Sequence, residues 1–109
     1  MELVNSIPFE YFEEMQDFAD KFPAFKNGYF SYPFTLEIND EINSFILQLF
    51  PNYWMESADI SIFDDNNEPV LSNLPFNTSK GVNFFQSLFS NYKLIYNKSL
   101  LQFEIWKIN

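Results

Sequence analysis

Apolar residues recur at three- and four-residue steps over residues 8–22: Phe9, Phe12, Met15, Phe18, Ala19 and Phe22. That spacing predicts an amphipathic helix. Ser6 can cap it, Pro8 suits its first turn and Pro23 ends it. Glu10, Glu13, Glu14, Asp17 and Asp20 take the opposite face of the predicted helix. A second stripe, Ile42, Phe45, Ile46, Leu49 and Phe50, predicts a helix capped by Asn39 or Asp40 and closed by Pro51. A third, Val82, Phe85, Leu88 and Phe89 behind Ser79, predicts another, weakened by Gly81.

Elsewhere the period is two. Phe34, Leu36 and Ile38 alternate with polar residues and read as a short strand. Tyr53 to Phe63 alternates as well, with an inward face beginning near Ala58. The run from Asp64 to Pro69 is strong turn chemistry, Val70-Leu71 begins a returning strand, and Leu74 to Thr78 reads as loop. Tyr92–Tyr96 and Leu100–Ile108 form a hairpin about Asn97-Lys98-Ser99. The aromatic stretch from Ala24 to Pro33 is expected to pack on the body of the protein. The sum is an α+β fold, about three helices on one face of a mostly antiparallel sheet of four to five strands. A chain of 109 residues is expected to be a single acidic domain spanning residues 1–109.

Charge changes the picture more than composition does. The net charge is −9, and it is unevenly distributed. Residues 1–79 carry fourteen carboxylates and two lysines, whereas residues 80–109 carry Glu104 and four lysines. An acidic chain is repelled by anionic membranes and by nucleic acid, so neither is expected as a direct partner. The N-terminus, Met-Glu-Leu-Val, lacks the basic start of a secretion signal, and the cytoplasm is the expected compartment.

The chain has no Cys, His or Arg. A Ser-His-Asp triad, a Cys-His pair, a histidine base and an arginine clamp on phosphate are therefore excluded. With two glycines there is no phosphate-binding loop. Ser79-Lys80 is a formal dyad whose adjacent side chains diverge. Glu37, Glu56, Asp59 and Glu104 are strand acids that a glycosidase could use, but a small domain leaves little room for a sugar cleft. Asp64, Asn66 and Glu68 match the first, third and fifth positions of a calcium loop, yet Pro69 and Pro75 stand where Gly and Glu belong. No catalytic residue, metal site or cofactor is expected.

The acidic helix face is the strongest functional signal. Like charges at three- and four-residue spacing repel one another, and a purely structural face would mix in lysine. Such density speeds encounter with a basic protein and can imitate a phosphate backbone. The simpler reading is a solvated face. Tyr29, Tyr32 and Trp54 fall near element ends and are candidate anchors, since Tyr and Trp are enriched at binding hot spots. The expectation is a non-catalytic inhibitor or adaptor that binds a basic, nucleic-acid-handling protein. An immunity protein facing a toxin, or a phage-encoded antagonist of a defence nuclease of the anti-CRISPR kind, has this character. A structural or self-associating domain, including a homodimer, is the alternative, and a small carboxylate-dependent hydrolase a remote one.

Overall fold

The computed structural model describes residues 1–77 and 85–108. They form nine strands and one helix: β1 (Glu2–Pro8), α1 (Met15–Lys21), β2 (Phe25–Lys26), β3 (Tyr29–Ile38), β4 (Glu41–Asn52), β5 (Ser57–Asp64), β6 (Pro69–Asn77), β7 (Phe85–Leu88), β8 (Tyr92–Asn97) and β9 (Gln102–Lys107). The chain is therefore mostly β, with two antiparallel sheets, and the expected three helices on one sheet are overturned.

It divides into two compact units. One comprises Met1–Glu10 with Thr78–Asn109, the other Tyr11–Asn77. In the first, the sheet order is β1-β9-β8-β7, so the N-terminal strand pairs with the C-terminal one. This long-range pairing corrects the first predicted helix. Ser6 lies opposite Glu104 and Pro8 opposite Gln102 in a ladder, and only Met15–Lys21 is helical. Pro8 is tolerated because it ends an edge strand. Ile7, Phe9, Leu88, Tyr92, Leu94, Tyr96, Phe103 and Ile105 are buried in this unit. Phe9 lies 5.9 Å from the ring of Phe103 and edge-on to Tyr96. The hairpin of β8 and β9 is present, with its turn at Lys98–Leu101.

The second unit is a meander, β2-β3-β4-β5-β6. Its second predicted helix is strand β4. Asn39 and Asp40 both take positive φ, 53° and 64°, and turn the chain in two residues, so that Ile38 faces Glu41. That turn matches the twist of a hairpin, and the chain returns as a strand rather than entering a helix. Phe45, Leu47 and Leu49 are then buried on one face, level with Ile62 and Ile60 of β5. The residues read as loop from Leu74 onward belong to β6 up to Asn77; Thr78 lies outside the described residues. Of the third predicted helix, Phe85–Leu88 is strand β7, while Ser79, Lys80, Gly81 and Val82 lie outside the described residues.

The buried face of the meander is covered in part by α1. Phe18 stacks on Phe25 at 5.2 Å, and Phe22 meets Phe30 edge-on at 5.0 Å. The opposite face carries a row across four strands, Pro33, Ile46, Phe63 and Pro69, each paired with the next. Pro33 also guards the edge. In this two-residue hairpin Ile38 and Glu41 exchange both bonds, so even-numbered β3 residues turn their N–H toward β4. The N–H that proline lacks would have pointed away from the sheet.

Candidate functional site

The two units differ sharply in charge. Tyr11–Asn77 holds twelve carboxylates and two lysines, a balance of −10; the rest of the chain holds three carboxylates and four lysines, a balance of +1. The acidity of the protein thus belongs to the meander unit.

Within that unit the segment Tyr11–Glu14 and the β4–β5 turn, residues 53–56, are tied together. The Tyr11 hydroxyl donates to the Asn52 carbonyl oxygen at 2.7 Å. The Tyr53 ring meets Phe18 of α1 edge-on at 6.0 Å. The Trp54 backbone N–H donates to Asn52 Oδ1 at 3.0 Å. The turn is therefore held at its base, yet the Trp54 side chain is 94% exposed and the adjoining Met55 59% exposed. Tyr11 ionises less readily than a free tyrosine, first because it is desolvated, then because Glu13 and Glu56 place negative charge beside it, with a further push from Tyr53. Tyr53 is raised in the same sense by burial, and its hydroxyl finds no partner among the described residues.

The structure separates the residues singled out by sequence. Glu10 belongs to the first unit and is half-buried. Glu13 and Glu14 precede α1, and Asp17 and Asp20 lie on it; all four are exposed. They do not form the single helical stripe expected with Glu10, because the helix has only seven residues. Gln16 donates to Asp20 Oδ1 at 2.8 Å along the helix. Lys21 sits over the rings of Phe12 and Phe22, at 5.8 and 5.9 Å. Tyr29 opens β3 and stacks on Phe50 at 5.1 Å. Tyr32, opposite Leu47, alternates in step with buried Phe30 and Phe34 and is itself half-buried. Trp54 is the most exposed of the three aromatic candidates.

Tyr53 belongs to the aromatic residues that fall near element ends, but sequence reasoning passed over Tyr11 and Asn52, whose bond joins positions 41 residues apart. The Asp64 carboxylate has a local task. Its Oδ1 accepts the backbone N–H groups of Asn66 and Glu68, both at 2.9 Å, and so shapes the β5–β6 turn. Glu104 is one of two buried polar side chains among the described residues, the other being Ser61. Gln102 and Asn97 donate to its Oε2 at 2.6 and 3.2 Å, and the Trp106 indole to its Oε1 at 3.0 Å. No group of acids able to hold a metal ion occurs among the described residues. None of their helices is long and apolar enough to cross a membrane.

No known protein family, curated protein or solved structure matches this chain.

Proposed function

We propose that this protein is a non-catalytic, acidic binding protein of the cytoplasm. It inhibits a basic, nucleic-acid-handling protein by occupying that protein's working surface, as an immunity protein or an anti-defence protein does. The observation that carries this reading is the segregation of charge, −10 on the meander unit against +1 on the rest. Acids gathered on one unit steer a basic partner to it and compete there for a phosphate-binding surface. Glu13, Glu14, Asp17 and Asp20 supply the exposed part of that field, and Trp54 supplies an aromatic anchor.

The test is capture of the partner from host lysate by the full chain, beside a Glu13→Lys, Glu14→Lys, Asp17→Lys variant. The wild-type protein should retain a basic partner at low salt and release it at high salt, and the folded variant should not retain it. Equal retention by both proteins overturns the reading.

A second reading is self-association, and the outward row Pro33, Ile46, Phe63 and Pro69 favours it. Light scattering separates the two: a dimer insensitive to salt supports self-association, and a monomer supports the inhibitor.

A further inference from the structure

We propose that Trp54 reads an arginine of the basic partner: its indole stacks on the guanidinium while Glu13 and Glu56 draw that cation to the turn. This rests on the reading that the acidic unit engages a basic protein, and it names the side chain by which the partner is recognised.

The argument begins with exposure. A tryptophan is among the side chains most costly to leave in water, and one 94% exposed is out of place on a purely structural turn. The turn beneath it is fixed by the Tyr11–Asn52 and Trp54–Asn52 hydrogen bonds and by the Tyr53–Phe18 contact. Little backbone freedom is then left to lose when the indole is covered. Met55, also exposed, adds an apolar surface next to it.

Charge selects the occupant. Glu56 is part of this turn and Glu13 part of the segment that the Tyr11–Asn52 bond ties to it; both are exposed, and both raise the pKa of Tyr11. A second copy of the chain has no arginine to offer. A cation from a basic protein meets both features at once. Arginine fits better than lysine. Its guanidinium is planar and weakly hydrated, so it can lie on an indole face and still donate from its edge to carboxylates. The lysine ammonium is a compact, strongly hydrated charge that does only one of these well.

The test titrates the full chain with octa-arginine and with octa-lysine while following the indole N–H resonances of Trp54 and Trp106. Trp106 is the internal control, since its indole is already committed to Glu104. Octa-arginine should shift the Trp54 signal saturably, at about tenfold lower concentration than octa-lysine, and leave Trp106 in place. The shift should weaken at high salt and in a Glu13→Gln, Glu56→Gln variant. Trp54→Ala should reduce octa-arginine affinity about tenfold with the fold unchanged, because the side chain it removes is exposed. Equal potency of the two peptides, or no movement of Trp54, overturns the proposal. If the backbone amides of Glu13, Glu14 and Asp17 still shift with either peptide, only the arginine assignment fails and the acidic surface stands. If nothing shifts, both readings fall.

Discussion

The hydroxyl of Tyr11 donates to the main-chain carbonyl of Asn52 at 2.7 Å, joining the segment before α1 to the end of β4. Asn52 also takes the Trp54 N–H on its side chain, so one residue holds the turn from both directions. Tyr11→Phe removes the donor and keeps the ring. The expected cost is about 1 kcal/mol of stability. Amide exchange should accelerate at Trp54 and Met55 before it changes in β8 or β9. Urea denaturation and hydrogen exchange check the two parts separately, and unchanged exchange at the turn would show that something else restrains it.

Tyr53 leads to the opposite expectation. Its ring packs on Phe18, but its hydroxyl is buried with no hydrogen-bond partner among the described residues. A buried, unpaired polar group costs about 1–3 kcal/mol. Tyr53→Phe keeps the packing and removes that cost, so it should stabilise the protein by about 1 kcal/mol. A lower urea midpoint for the variant would mean that the hydroxyl is paired in solution.

The sheets were only partly legible, and the reasons are local. Ala58, Ile60 and Ile62 alternate cleanly with polar neighbours, and the inward face read from them is the buried one. Residues 45–50 are nearly all apolar, apart from Gln48. A run of that length fits a helix stripe and a two-sided strand equally well, and periodicity cannot choose between them. The deciding marks were the turns. Asn27-Gly28 and Asn39-Asp40 are both two-residue hairpin links with positive φ, and each announces a returning strand. The first predicted helix survives only as Met15–Lys21: its expected cap and first turn, Ser6 and Pro8, belong to β1, which exists because β9 pairs with it, a partner about a hundred positions away that no window can see. At the candidate site, the acids and Trp54 could be read directly as residue types. The tether that presents Trp54 could not, since Tyr11 and Asn52 meet only in the folded chain.

Tyr96 makes stability depend on alkaline pH. Its hydroxyl donates to the Phe9 carbonyl at 3.0 Å, and burial, with a smaller push from Glu10, raises its pKa from 10.0 to about 12. The folded state therefore favours the protonated phenol. Its contribution is fully present below pH 10.0 and is lost as pH rises through the folded value of about 12. Between those limits unfolding releases a proton, and stability falls by up to about 1.4 kcal/mol per pH unit from this group. Tyr11 and Tyr53, also raised, add slope of the same sign. Tyr96→Phe should be less stable at neutral pH by about 1 kcal/mol, through the lost bond to Phe9. It should also lose less stability on going above pH 10.0 than the wild-type protein does. Urea midpoints measured across that range for both proteins decide the matter; parallel curves would remove Tyr96 as the cause.

Glu104 shows how a charge is kept inside an apolar strand. Phe103 and Ile105 are fully buried on one face of β9, so alternation sends Glu104 to the other, opposite Ile95 and beside Gln102 and Trp106. Only 5% of it is exposed, and three neutral donors, from Asn97, Gln102 and Trp106, share its two oxygens. Removing a partner from such a cluster is worse than never having built it, because the remaining groups stay buried and unpaired. Glu104→Ala strands all three donors and should cost about 3 kcal/mol. Glu104→Gln keeps one acceptor oxygen but turns an amide N–H toward another donor, so its cost should be smaller, about 1–2 kcal/mol. The order wild type, Gln, Ala in urea midpoint is the expected result. An alanine variant as stable as the wild type would mean that water reaches the three donors and that the cluster contributes nothing to holding β8 and β9 together.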